Sequence, residues 1–187
     1  MMRIITGKAR GVKLRTLDGE VTRPTSERAK EAIFSMLQFD IEGRRILDAF
    51  AGSGQMGLEA LSRGALSAVF VDKNNEAFEI IKTNTELTKL KENATVICAD
   101  LEKYLEKIQS KTKFDIVFLD PPYRSPLLKS ALEGLIRYDL LSNNATIVCE
   151  SGVPIEEAIT PELIERFNII KTVKYGIAFV SVMKLKR

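Results

Sequence analysis

From residue 44 onward, short runs apolar on both faces alternate with segments of helical periodicity, and this predicts a doubly wound α/β sheet covered by helices on each side. A second observation marks the end of that sheet. Phe167 to Tyr175 and Ile177 to Leu185, rich in Ile, Val and Phe about Gly176, read as an antiparallel hairpin. A third concerns the start, where a basic, Gly-containing stretch precedes the alternation and reads as a short β extension. The expected division is an extension over residues 1–22 and the main domain over 23–187.

The elements follow in order. Arg23-Pro24-Thr25 reads as a turn into a helix capped by Thr25 or Ser26, with Ala29, Ile33, Phe34 and Leu37 along the face that packs on the sheet. Strands are expected at Arg45 to Phe50, Ala68 to Val71, Ala94 to Cys98, Phe114 to Leu119 and Ala145 to Cys149. Between them lie helices reaching about Arg63 and about Leu90, one starting at Leu101, and one from about Pro126 to Leu141. At 187 residues a single core is expected.

Composition excludes several kinds of chemistry. The chain is 45% hydrophobic and 28% charged, with no uninterrupted apolar stretch near the ~18 residues of a membrane span and no signal-like apolar start, so a cytoplasmic protein is expected. Cys98 and Cys149 each fall in an apolar run without CxxC spacing and are expected as reduced core thiols. Histidine is absent, which removes Ser-His and Cys-His nucleophiles and the commonest metal ligand; no metal is expected. Residues 1–23 hold six cations (Arg3, Lys8, Arg10, Lys13, Arg15, Arg23) against Asp18 and Glu20, a balance of +4 in a chain whose total is +3. Charge gathered in this way suits contact with a phosphate backbone, with Lys8, Arg10, Lys13 and Arg23 as the expected contacts, although a solvated basic hairpin would look the same.

Two motifs carry chemistry. Asp120-Pro121-Pro122-Tyr123 stands directly behind the apolar run Phe114 to Leu119. Each proline fixes its own φ and biases the residue before it toward extended geometry, so the Asp120 carboxylate and the Pro121 carbonyl point in set directions. Two such acceptors can hold both N–H bonds of an exocyclic base amine and leave its lone pair to attack, while Tyr123 stacks on a base turned out of its helix. A Pro-rich turn closing a strand is the simpler alternative.

The other motif is the loop Phe50-Ala51-Gly52-Ser53-Gly54-Gln55-Met56-Gly57 after the first strand. Its glycines permit a tight turn, close approach of a ligand to the backbone, and close packing of helix on strand. Asp72, 20 residues after Gly52 at the end of the second strand, is placed to grip ribose hydroxyls. A nicotinamide enzyme and an S-adenosylmethionine enzyme would both use these features. Asp48, ahead of the glycines, suits the methionine end of a zwitterionic ligand better than a pyrophosphate. Asp100 is placed to accept from an adenine amino group, or to cap the helix at Leu101, or both.

Taken together, Met2 to Lys8, Arg23-Pro24-Thr25 with Glu31 and Phe34, Leu47 to Gly54 with Gly57 to Ala65, and Phe114 to Tyr123 resemble the RsmD family of bacterial 16S ribosomal RNA guanine-N2 methyltransferases over nearly the whole chain. The resemblance implies a class I, Rossmann-like methyltransferase fold, S-adenosylmethionine as donor, and a guanine of 16S rRNA, within an assembled or assembling small subunit, as acceptor. It implies a cofactor site of Asp48, Phe50, Ala51, Gly52, Ser53, Gly54, Asp72, Lys73, Asp100, Leu101 and Thr25, and a catalytic group of Asp120, Pro121, Pro122 and Tyr123. Departures from the family pattern are Tyr123 where phenylalanine is as familiar, Asp72 where glutamate is, and Gln55 where a small residue is common. The rivals are an adenine-N6 methyltransferase, since the same clamp suits any exocyclic amine, and, further off, a nicotinamide-dependent oxidoreductase.

Overall fold

The computed structural model describes residues 2–17, 24–123 and 125–186. Helix α1 (Pro24–Met36) is followed by β1 (Arg45–Ala49), α2 (Gln55–Ser62), β2 (Ser67–Asp72), α3 (Asn75–Leu87), β3 (Ala94–Cys98), α4 (Leu101–Lys107), β4 (Phe114–Leu119) and α5 (Leu127–Arg137). The chain continues with β5 (Leu141–Ser151), the short helices α6 (Ile155–Ala158) and α7 (Pro161–Ile164), and the strands β6 (Phe167–Tyr175) and β7 (Ala178–Leu185).

One seven-stranded sheet has the order β3-β2-β1-β4-β5-β7-β6. Strands β1 to β5 pair in parallel, and β7 enters antiparallel between β5 and β6. Alternate residues of each central strand enter opposite layers, as the pleat requires. Ile46, Ile116, Phe118 and Val148 join the layer containing α1, α2, α3 and the N-terminal extension. Leu47, Val117, Leu119 and Cys149 face α4 to α7. Within the first layer Phe34 of α1 is fully buried 5.7 Å from the Phe118 ring, a contact whose apolar burial contributes about 2–3 kcal/mol.

The hairpin, the parallel repeat and the apolar face of α1 lie where the sequence puts them, with three differences. Helix α1 starts at Pro24, so Thr25 and Ser26 lie in its first turn and not at its cap, a position proline suits because it has no N–H to lose. Helix α5 ends at Arg137 and β5 begins at Leu141, where the expected helix was to end. Cys98 is exposed, because β3 is the edge strand, whereas Cys149 is buried in a central one.

The extension is joined to the main core rather than set apart from it. A single antiparallel bridge, Arg3 to Lys13, stands in for strands, and Met2, Ile4, Ala9 and Leu14 are buried in the first layer. Its backbone is captured by polar side chains of α2 and α3. Glu59, with no exposed surface, accepts from Ile5 N (2.7 Å) and Thr6 N (3.0 Å) and pairs with Arg63 (2.8 Å), whose guanidinium lies 4.7 Å over the Phe34 ring. Ser62 Oγ accepts from Ala9 N (3.0 Å) and donates to the Thr6 carbonyl (2.6 Å). Asn84, also fully buried, bonds both backbone groups of Arg15 (2.8 and 3.0 Å) and donates to the Ser53 carbonyl (2.9 Å).

Removing Glu59 would leave two amides and a guanidinium without their acceptor. Glu59→Ala is expected to cost about 3–5 kcal/mol and to lower the melting midpoint by roughly 10 °C, measured by circular dichroism against wild type.

Candidate active site

The sheet has its topological switch between β1 and β4, where successive connections run off in opposite directions, and open α/β sheets bind ligands outside the carboxyl ends at such a point. Ala49 pairs with Val71 on one side and Leu119 on the other, so the glycine loop and the Asp120 segment leave neighbouring strands at the same level. A cavity of about 460 Å³ opens there.

Its floor is the turn after β1. Phe50 (φ 67°), Gly52 (φ 52°) and Gly54 (φ 77°) all take left-handed backbone conformations. For a phenylalanine this conformation is strained by about 1–3 kcal/mol; here Phe50 N and Ala51 N are held by the Val71 carbonyl at 3.0 and 3.1 Å. Gly57, third of the series, serves packing instead, since a side-chain carbon there would overlap the buried ring of Phe70. The close seating of α2 on β2 therefore depends on that glycine.

Two acids rise on one side. Asp72 accepts from Gly52 N through Oδ2 (2.9 Å) and from Asn74 N through Oδ1 (2.8 Å), so backbone amides fix both oxygens at the cavity wall. Asp100 caps α4, its Oδ1 accepting from Glu102 N (3.1 Å) and Lys103 N (3.3 Å); capping and a place on the cavity wall coincide. Phe50, Gly52, Lys73 and Leu101 also line the cavity.

Other expected cofactor residues lie behind this surface. Asp48 is 4% exposed and its Oδ2 accepts from Gly57 N at 2.8 Å, which turns it toward the start of α2 and away from the cavity lining. Ser53 is buried, with its hydroxyl 3.1 Å from Met2 Sδ, and Ala51 is buried beneath the turn. Gly54 caps α2. Gln55 is half-buried in the first turn of α2, outside the cavity lining. Thr25 is in α1, its side chain beyond what is described, and Arg23 lies outside the described residues.

The opposite wall holds Asp120, Pro121, Pro122 and Tyr123. Asp120 and Tyr123 are exposed and Pro121 is buried. The Pro122 carbonyl accepts from Ser125 Oγ (2.6 Å). The Tyr123 hydroxyl donates to Glu150 Oε1, and its ring lies against Gly152, where a Cβ would be 3.2 Å from Tyr123 Cδ2. Sequence reasoning missed Glu150. It follows the run Ala145 to Cys149 as Asp120 follows Leu119, a strand-end acid with no motif to mark it. Leu17 of the extension also reaches this cavity. Lys8, Arg10 and Lys13 are exposed on the extension, beside Arg3 and Arg15.

Burial pushes the Asp48 carboxyl up, the Gly57 bond pulls it down, and the Asp72 charge adds to the rise, leaving it at about 7 against an ordinary 3.8. Between those values the folded chain holds the proton that the unfolded chain has released. Stability from this group is therefore full below about pH 4 and falls as pH climbs through 7. Asp48→Asn, which keeps an oxygen for Gly57, is expected to match wild type near pH 4 and to exceed it above pH 7 by up to about 4 kcal/mol, measured by urea unfolding across that range.

The family described as conserved hypothetical protein 95 matches residues 2–184. The chain is 39% identical to the ribosomal RNA small subunit methyltransferase D of Haemophilus influenzae, over 86% of this chain and 83% of that one. It is 38% identical to the Escherichia coli protein of the same name, over 81% and 75%. Among solved structures, Escherichia coli yhhF superposes with a TM-score of 0.85 at 31% identity, covering 99% of this chain and 98% of that one. The fold is that of class I S-adenosylmethionine-dependent methyltransferases, and the chain belongs to the family described as conserved hypothetical protein 95, the RsmD family.

Proposed function

We propose that this protein transfers a methyl group from S-adenosylmethionine to the exocyclic N2 amine of a guanine in small-subunit (16S) ribosomal RNA. The observation that carries the reading is that the glycine turn, Asp72 at the end of β2 and the Asp120 segment all open into one cavity. The names of the relatives above support rRNA as the acceptor.

The residues present fit the donor. Gly52 leaves the turn open to close approach, the Asp72 carboxylate faces the cavity with orientation fixed by two amides, and Asp100 lies where an adenine amino group would need an acceptor. Apolar Phe50, Leu101 and Leu105 provide surface for a flat ring. When bound, the donor supplies a methyl group on a positively charged sulfur, and the acids around the cavity favour that charge. Asp48 and Ser53 support the turn from behind.

At the other wall, Asp120 and the Pro121 carbonyl hold the two amine hydrogens, which keeps the nitrogen lone pair directed into the cavity. Tyr123 meets the face of the base. Exposed Asp120 hands the proton released on N–C bond formation to water. Orientation of two reactants in one cleft provides much of the rate, with no covalent enzyme intermediate. Among the described residues no group suited to hold a metal is found, and no helix is long and apolar enough to cross a membrane. We place the protein in the cytoplasm, acting on an assembled or assembling subunit, in keeping with the small-subunit ribosomal RNA in the names of its relatives. The extension over residues 1–22 acts as the RNA-holding module and 23–187 as the catalytic one.

Small subunits from cells lacking this protein, incubated with methyl-labelled donor and digested to nucleosides, are expected to yield N2-methylguanosine. Labelled N6-methyladenosine, or no label, would contradict the assignment. Asp120→Ala is expected to lower turnover at least ~100-fold with S-adenosylhomocysteine affinity retained. Replacing Lys8, Arg10 and Lys13 together by alanine is expected to weaken RNA binding and to reduce the slope of log K against log salt by about 2–3.

A further inference from the structure

A second cavity of about 560 Å³ lies beside the first, and Pro121, Pro122, Tyr123 and Glu150 belong to the walls of both. Its outer side is built from the β6–β7 hairpin, with exposed Lys174 5.1 Å from the ring of half-buried Phe179. Glu150 owes its place to strand register. Leu119 pairs with Cys149 in parallel, so Glu150, still within β5 and paired with Val180 of β7, stands level with Asp120, the first residue beyond β4. The bond from the Tyr123 hydroxyl to Oε1 orients the Glu150 carboxylate, and Tyr123 is itself seated on Gly152.

We infer that the second cavity receives the acceptor base and that Glu150 selects guanine by accepting its N1–H. The inference rests on the amine-transfer reading above and names the residue that sets its specificity. In guanine the ring position next to the N2 amine is N1, which carries a hydrogen; in adenine the position next to the N6 amine is also N1, but it carries a lone pair. With the amine held at Asp120, that neighbouring position falls toward the adjacent strand β5, where Glu150 stands. A carboxylate accepts from guanine N1–H and repels the adenine lone pair, so two bases offering the same amine are separated by the atom beside it. A site built to receive a hydrogen bond rejects an analogue that cannot make it far more strongly than an apolar pocket rejects one of the wrong size. Phe179 offers a ring face to the base, and Lys174 a cation to the nucleotide phosphate at the rim.

Glu150→Gln preserves side-chain length and an oxygen for the Tyr123 hydroxyl, but presents an NH₂ to the base. The test uses small subunits from cells lacking this protein, in natural form and with the methylated guanine replaced by adenine. On natural subunits, kcat/KM of Glu150→Gln is expected to fall ~100-fold while S-adenosylhomocysteine affinity, by calorimetry, stays within about twofold. On adenine subunits wild type is expected to be inert and the variant to form N6-methyladenosine. Tyr123→Phe, which deletes the bond to Glu150 but keeps the ring, is expected to retain the preference for guanine.

Natural subunits methylated by Glu150→Gln as fast as by wild type would overturn the role of Glu150. So would a loss of turnover matched by an equal loss of S-adenosylhomocysteine affinity. Wild-type enzyme that methylates no guanine would instead bring down the reading beneath it, which separates the two failures.

Discussion

The register that sets Ala49 level with Leu119, and Leu119 level with Cys149, governs everything else in this structure. It sets three chain segments side by side at one end of the sheet: the left-handed turn from Phe50 to Gly54, the Asp-Pro-Pro-Tyr segment, and Glu150 near the end of β5. Sheet register is set by which face each residue buries, and a slip of one residue would exchange the two layers. Ile46, Phe118 and Val148 on one face and Leu47, Val117 and Cys149 on the other hold it, all of them buried. The hydrophobic pattern that makes the core therefore also aligns the chemistry.

Strain and burial gather where that alignment is used. Phe50 in a left-handed conformation and Asp48 deprived of water are both unfavourable in isolation. They are sustained by neighbours that have no alternative: the Val71 carbonyl takes two amides of the turn, and the Gly57 amide is bonded to Asp48 at the start of α2. Asn84 links this region to the extension by joining the Ser53 carbonyl to the backbone of Arg15. The basic extension and the glycine turn thus share one buried polar side chain.

Much of the fold was legible because its signals are local. The alternation of apolar runs with helical periodicity, the Gly176 hairpin and the apolar stripe of α1 need only a short window of sequence. The glycine turn and the Asp120 segment were legible for the same reason, as was the capping of α4 by Asp100. What could not be read depends on which distant segments meet. Cys98 lies in an apolar run like that of Cys149, and only the strand order shows that β3 is an edge. Glu59 and Asn84 look like surface residues of amphipathic helices until the extension folds over them. The bond from Gly57 N to Asp48 follows from the close seating of α2, which no motif specifies.

If donor and acceptor meet in a single cleft between the β1 turn and the β4 tip, a crystal of the protein soaked with S-adenosylhomocysteine must show it. The nucleoside is expected against Asp72 and Asp100, with the sulfur directed toward Asp120 and Tyr123 across open space. A sulfur facing away from that segment, or separated from it by protein, would contradict a shared cleft and with it direct transfer of the methyl group.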